Sequence, residues 1–522
     1  MAIRGISPEI EPETRVSSDA AARAKSWPTW AAVTIFLVLI VLLHPLYQYR
    51  INPDATSYDS LAKKWAAGDW RAAIAGHWAP LFIWLLAITK KFGLGLFAGV
   101  TLVDAVAAIA LLAGLDRLCK VLDMNDARRF FALSLAAVWA VAFTFDEVTP
   151  DLLLCAALTW YLSLAIQGNF LRNMRQASGL GLIIGLAYLT KPYAIYFIAL
   201  HLAVVFVARL RLQRIQPAIW MRSFAILAAV ALLFAGSWVG AMSFKYHRFT
   251  TGSAGSMGFR IISPRWPSIY LNNVGLIEPP NDTAVSYWED PEVEKLGLPS
   301  WSPMESVSSF LYYLRLIGKN ISGLVLWFVI TSIAAIPLFA GVIRKWYRAG
   351  RPMQLGLIVL AIITYPAGFV LLFISNRYLW PLTIWLIVLA AYRVSLQRRW
   401  LPGAVLLWIS FLPYPLWCLS ADRGQGAIEH QIGAAMIQHK LKGRSASVDE
   451  WHRSLYVSYY ASLQYCGTTA QRTGRDVRKE LRQIGIQYLI VWPGPNQDIG
   501  HALGLAEIED PAFGKVKIYA VN

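Results

Sequence analysis

The sequence predicts an all-helical domain that crosses a membrane about eleven times, followed by a small α/β domain in water. Three observations lead there. First, apolar runs of roughly 20 residues recur between residues 29 and 419, each long enough to span a hydrocarbon core of about 30 Å. The composition agrees: 57% of the 522 residues are hydrophobic and 22 are Trp, with a mean hydropathy of +0.46, as in a polytopic helical membrane protein. Second, Lys and Arg gather in short loops on alternate sides of these runs, which is how cytoplasmic loops are marked. That pattern accounts for the formal charge of +17 and leaves no reason to invoke nucleic acid. Third, the apolar runs stop near residue 420, and shorter helical and strand periodicities replace them.

In order, residues 1–28 form a polar cytoplasmic tail, whose Glu9, Glu11, Glu13 and Asp19 do not fit a cleavable signal peptide. Residues 29–419 form the membrane domain, with the N-terminus inside and the C-terminus outside. A first span over about 29–47 leads to an outer loop, 48–94. There Asn52-Pro53 turns the chain, and Thr56 ahead of Asp59 resembles a capping box. Tyr58, Leu61, Ala62 and Trp65 then share one helical face, with Asp59, Lys63 and Lys64 on the other, predicting a helix lying in the membrane interface. A second interfacial helix runs from Pro80 to Lys91, its lysines reaching the headgroups.

Spans at about 96–118, 130–145 and 152–169 enclose an acidic outer loop, Asp146 to Asp151. Residues 177–212 have basic ends and Lys191-Pro192 in the middle, predicting two short helices broken there. Such a break at membrane depth must line a cavity or pack against protein. A span at about 220–243 leads into the outer loop 244–319; spans at about 321–343 and 354–374, one returning to Arg393, and one at about 401–419 follow. Residues 420–522 read as a periplasmic α/β domain, with helices near 426–442 and 476–484 and strands near 446–448, 486–492 and 515–521. The four cysteines lack metal-ligand spacing, and no spacing establishes a Cys418–Cys466 bridge.

The candidate chemistry collects on the outer face. Asp54 stands at the junction of the first span and the interfacial helices. An Asp in an Asn-Pro-Asp turn also serves as a plain turn or cap residue, so its weight comes from what accompanies it. Asp146, Glu147 and Asp151 crowd a loop without Lys or Arg, a costly arrangement at a membrane boundary unless they meet water, a metal or a cation. Asp151 also suits the start of the next helix, where the helix dipole favours it. Lys191 at the helix break and Arg377 beside Tyr378 are cations on the side that the positive-inside rule disfavours, and a planar guanidinium suits a phosphate. Tyr58, His77 and Trp78 are placed to line a cavity or an acceptor site. Nucleotide-binding and zinc-protease motifs are absent, so an activated donor on this face must come from the membrane itself.

These stretches resemble the GT-C glycosyltransferases, most closely the bacterial relatives of protein O-mannosyltransferases and of the lipid A aminoarabinose transferase. The residues concerned are Asn52-Pro53-Asp54, Ala66 to Trp70, Trp78-Ala79-Pro80-Leu81, Thr149-Pro150-Asp151, Leu189-Thr190-Lys191 and Arg377-Tyr378, in that order over about 30–400. The chain lacks the Trp-Trp-Asp segment of oligosaccharyltransferases and the large accessory domains of eukaryotic mannosyltransferases. The resemblance implies a GT-C-like membrane domain and inverting transfer of a sugar from a polyprenyl-phosphate donor, of the undecaprenyl-phosphate type, to a glycan, lipid or protein acceptor. The reaction would take place at the outer face of a bacterial inner membrane. Asp54 is then the expected catalytic base, and Lys191, Arg377 and Tyr378 the expected donor-phosphate site. Tyr58, His77, Trp78 and Asp146 are expected to line the cavity. Asp54, Glu147 and Asp151 offer oxygen ligands should Mg²⁺ or Mn²⁺ take part. The rival expectation is a transporter or flippase of lipid-linked saccharides, which would also use a broken helix and intramembrane charges.

Overall fold

A computed structural model of the chain describes residues 25–213, 215–265, 275–292, 301–348, 352–394, 396–398, 401–469 and 475–521. Most of the tail expected at 1–28, and two stretches of the loop expected at 244–319, lie outside the described residues.

The membrane domain opens with α1 (Trp27–Leu43), the short helices α2 (Pro53–Ala67), α3 (Trp70–Ala73) and α4 (Pro80–Lys91), and the long α5 (Leu96–Val121). Then come α6 (Asp126–Asp146), α7 (Asp151–Gln167), α8 (Met174–Thr190), α9 (Ala194–Gln213), α10 (Pro217–Lys245) and α11 (Ala254–Ile261). It closes with α12 (Val307–Thr331), α13 (Ala335–Arg348), α14 (Met353–Thr364), α15 (Ala367–Leu371), α16 (Trp380–Arg393), α17 (Leu401–Ile409) and α18 (Pro413–Ala421). Among the described residues, eight helical segments are long and apolar enough to cross a membrane, and α7 is a shorter apolar helix. The chain is a multi-pass membrane protein. With α8 and α16, these segments occupy the places of all the expected spans.

Two helix boundaries differ from expectation. The segment expected at about 321–343 begins instead at Val307 and breaks at Ser332 before α13. The Ser332 hydroxyl is 2.7 Å from that of Ser410, so side chains satisfy polar groups at the break. The last segment is likewise divided, with a turn ahead of Pro413. The predicted break at Lys191-Pro192 is present between α8 and α9. The core is the packed interior of this bundle, where Trp139, Trp327, Trp380 and Trp385 are fully buried.

The C-terminal domain contains α19 (Ala427–Gln438), β1 (Arg444–Ser447), α20 (Trp451–Tyr460), β2 (Gln464–Thr468), α21 (Arg475–Gln483), β3 (Tyr488–Val491), α22 (Ile499–Ala502), β4 (Ala506–Ile508) and β5 (Lys517–Ala520). The strands form one sheet in the order β2-β1-β3-β5-β4. β1 pairs in parallel with β2 and β3, and β5 runs antiparallel to β3 and β4. α20 and β2 were not anticipated from the sequence: Trp451–Tyr460 mixes aromatic and polar residues without a clear apolar face, and Gln464–Thr468 is too short and polar to alternate clearly. Cys418 and Cys466 are both free and buried.

Candidate active site

α2 carries the first candidate. Its start is capped by Asn52, whose Oδ1 accepts from the Ala55 N–H at 3.1 Å, with Pro53 in the first turn where its missing N–H costs nothing. This corrects the expected cap at Thr56, whose hydroxyl instead donates to the Pro53 carbonyl at 2.8 Å. Gly68, at φ +84°, ends the helix in a left-handed conformation. Of the expected polar face of α2, Lys63 is exposed but Asp59 and Lys64 are not. Asp59 is fully buried and pairs with Lys63 at 2.8 Å and Lys90 at 2.5 Å, while accepting from the Tyr459 hydroxyl at 2.8 Å. Lys64 is buried against Glu289 and Asn281. Lys90 of α4 therefore serves an ion pair and does not reach for headgroups. The physical reason is the C-terminal domain, which lies on the face that the sequence assigns to water.

At the N-terminal turn of α2, Asp54 is 8% exposed. Its Oδ2 is 2.7 Å from Arg377 Nη2, and its Oδ1 accepts from the Trp288 indole N–H at 3.0 Å. Arg377 comes from the short 3₁₀ turn Asn376–Leu379 that leads into α16. Its Nη1 donates to Glu147 Oε2 at 2.9 Å, and its buried Nε has no partner. One guanidinium thus joins two carboxylates brought by α2 and by the α6–α7 loop. Burial pushes the Asp54 carboxyl upward, but the Arg377 charge and the hydrogen bonds from Trp288 and Arg377 outweigh it and hold Asp54 below the usual carboxylate range. Glu147 goes the other way: burial, only partly offset by Arg377, raises it. Arg377 stays charged, because the neighbouring carboxylates outweigh its desolvation.

A second pair lies beside the first. Asp151, at the N-terminus of α7, accepts from Lys191 Nζ at 2.6 Å and from the Thr149 hydroxyl at 2.6 Å. Lys191 also sits over the Tyr378 ring, 3.8 Å from its centroid, and Tyr378 stacks on Phe369 at 4.8 Å. The Arg377 guanidinium lies 5.5 Å from the same ring. On the other side of Asp54, the His77 ring packs edge-on against Trp78 at 4.5 Å and tilted against Trp288 at 4.9 Å. Its buried Nδ1 has no partner. Burial lowers its pKa to about 4 against the pull of Asp54 and Asp290, which leaves a neutral imidazole. Tyr58 meets Trp78 at 4.8 Å.

The structure therefore gathers Asp54, Glu147, Asp151, Lys191, Arg377, Tyr378, Tyr58, His77 and Trp78. Asp146, the last residue of α6, lies beside this group, where Arg50, Glu147, Asp422 and Arg377 act on it electrostatically. The Arg377 fork does not stand open for a phosphate: both terminal nitrogens hold carboxylates, one of which an arriving phosphate would have to displace. Nor do the three acids form a ligand set. Arg377 lies between Asp54 and Glu147, Asp151 is held by Lys191, and no group of three metal-ligating side chains converges among the described residues. In the 244–319 loop, Lys245 pairs with Asp290 at 2.8 Å and Arg265 with Glu305 at 2.7 Å. Sequence reasoning missed Trp288. Its only signal is an aromatic residue ahead of two acids, Trp288-Glu289-Asp290, in a loop without periodicity.

No family model and no curated protein sequence matches the chain. Solved structures do. ArnT from Cupriavidus metallidurans bound to undecaprenyl phosphate superposes with a TM-score of 0.59 at 15% identity, covering 96% of this chain and 99% of that one. The apo oligosaccharyltransferase of Archaeoglobus fulgidus gives 0.53 at 10% identity, over 89% of this chain and 69% of that one. The mycobacterial arabinofuranosyltransferase AftD gives 0.52 at 15% identity, over 96% of this chain and 40% of that much longer one. The chain has the fold of the GT-C glycosyltransferases.

Proposed function

We propose that the protein is an inverting glycosyltransferase that moves a sugar from a polyprenyl-phosphate donor to an acceptor hydroxyl at the outer face of a bacterial inner membrane. The observation that carries this reading is the meeting of Asp54 and Arg377 at 2.7 Å, from opposite ends of a membrane domain with this fold. Undecaprenyl phosphate in ArnT supports the donor class. Asp54 is the general base. It is ionised at neutral pH and takes the acceptor proton as the acceptor oxygen attacks the anomeric carbon, a form of assistance typically worth about 10²–10⁴-fold. The bond from the anomeric carbon to the phosphate oxygen breaks on the opposite side, and the polyprenyl phosphate leaves.

Charge develops on that phosphate as the bond breaks, so fixed cations help the transition state more than the ground state. Lys191 and the unpartnered Arg377 Nε are the donors placed for it. Glu147, with a side chain 33% exposed and a raised pKa, is the carboxylate that an arriving phosphate displaces from Arg377. His77, neutral and with a free nitrogen, can accept from or donate to an acceptor hydroxyl beside Asp54. Among the described residues, a divalent ion has no ligand set in this arrangement.

The test is Asp54→Asn in purified protein supplied with a labelled polyprenyl-phosphate sugar and candidate acceptors. The amide keeps the shape and loses the basicity, so a folded variant should transfer about 10²–10⁴-fold more slowly. Transfer at the wild-type rate would remove Asp54 from the base role.

A further inference from the structure

The C-terminal domain does more than pack on α2. Its edge strand β2 is bridged at two points by residues 276–286 of the long loop, once antiparallel and once parallel, so the loop is tied to the strand at both ends and bows away between them. Leu276 bridges Gly467 and Ser286 bridges Tyr465. Ile277 N–H donates to the Cys466 carbonyl at 2.7 Å, and Tyr465 N–H to the Val285 carbonyl at 2.7 Å. The Gln464 side-chain amide adds two bonds, to the carbonyls of Asn281 at 2.9 Å and Ala284 at 3.0 Å. Directly after this clamped strap, three consecutive side chains reach three parts of the site. Trp288 donates to Asp54 Oδ1 at 3.0 Å. Glu289 pairs with Lys64 of α2. Asp290 accepts from the Gly76 N–H at 3.0 Å, next to His77, and is itself held by Lys245 at 2.8 Å and Tyr246 at 2.7 Å.

Resting on the reading of Asp54 as the base, we infer that Trp288 is a positioning residue for Asp54, and that the C-terminal domain sets its position through the β2-clamped strap. Asp54 has two oxygens. Arg377 holds one and Trp288 the other, which restrains the carboxylate about its Cβ–Cγ bond and fixes the direction of the lone pair left on each oxygen. A base fixed within the productive geometry avoids the loss that small misplacements bring. The strap gives the indole a rigid mount that a free loop would lack.

The experiment is a double-mutant cycle on the full-length protein. Trp288→Phe keeps the ring and loses the N–H donor. Gln464→Ala removes two strap bonds at a residue that touches no part of the site. Trp288→Phe should lower kcat about tenfold with the donor KM unchanged, and Gln464→Ala should lower kcat by roughly three- to fivefold, also without a KM change. The double variant should be no slower than Trp288→Phe alone, since Gln464 acts through Trp288. Additive losses, or losses carried by KM, overturn the inference. Amide exchange over residues 276–290 supplies an arm independent of turnover and of the folding of the Trp288 variant. Gln464→Ala should accelerate exchange there, and unchanged protection would show that β2 does not clamp the strap. The two readings fail separately: a folded Asp54→Asn protein with wild-type transfer defeats the base role, whereas an inactive Asp54→Asn protein with an additive cycle defeats this inference alone.

Discussion

Two arginines sit near opposite ends of the same helix bundle, and they differ in how completely they are satisfied. Arg129, near the start of α6, is fully buried. All three of its guanidinium nitrogens have partners: Nε donates to Asp116 at 2.7 Å, Nη1 to Asp126 at 2.6 Å and Nη2 to the Lys25 carbonyl at 2.9 Å. Arg377, at the other end, holds Asp54 and Glu147 but leaves Nε without a partner. One of its carboxylates is a third exposed, and a neutral imidazole with a free nitrogen lies close by. A closed network of buried charges ties helices together. An open one of nearly the same composition keeps capacity for a ligand, which is what the proposed transfer asks of it.

The comparison can be broken by exchanging the expected consequences. Arg377→Ala should have the largest effect on turnover among these variants, about 10²-fold or more, because it removes a phosphate donor and releases Asp54 from its fixed position. Arg377→Lys, which keeps the charge and loses the fork, should fall between. Both are read from single-turnover rates with the labelled lipid donor. Arg129→Ala should do the reverse. Asp116 would keep only Lys120, at 2.9 Å, and the partly exposed Asp126 would lose its partner, which should destabilise the protein by about 1–3 kcal/mol, measured by thermal unfolding in detergent, with the turnover of the surviving folded fraction unchanged. A large kcat loss in folded Arg129→Ala would erase the distinction.

Smaller effects sharpen the assignment of Glu147. If the donor phosphate displaces it from Arg377, Glu147→Gln should lower the donor KM by up to about fivefold, since a neutral amide competes less well for the guanidinium. A raised KM would instead make Glu147 part of the donor site. The pH profile should change least. The depressed Asp54 pKa means that the base is charged above the ordinary carboxylate range and loses its role only as pH falls through that lowered value. The His77 value of about 4 likewise predicts no protonation step from His77 near pH 6.5. An acid limb near 6.5 that vanishes in His77→Gln would contradict the neutral imidazole.

Much of the fold was legible because membrane-spanning helices obey a strong local rule: a long apolar run must satisfy its own backbone. The break at Lys191-Pro192 was legible for the same reason, since Pro interrupts that ladder. The site was legible as a list of charges in the wrong place and not as a set of pairs. Sequence placed Asp54, Glu147 and Arg377 near the same face, yet it could not show that Arg377 lies between the two acids, because that depends on packing between distant segments. The polar face of α2 was misread because helical periodicity reports which side is polar and not what covers it. Trp288 had no local signal beyond the two acids that follow it, since its position comes from a strap whose partner strand lies far away in the chain.

The central claim is chemical transfer from a lipid-linked donor, and purified wild-type protein tests it most directly. Reconstituted in vesicles with a polyprenyl-phosphate sugar labelled in both sugar and phosphate, it should release labelled polyprenyl phosphate in step with the appearance of the sugar on an acceptor. Donor that crosses the bilayer intact while both labels stay together, with no acceptor modified, would contradict the account and make the protein a transporter of lipid-linked saccharide.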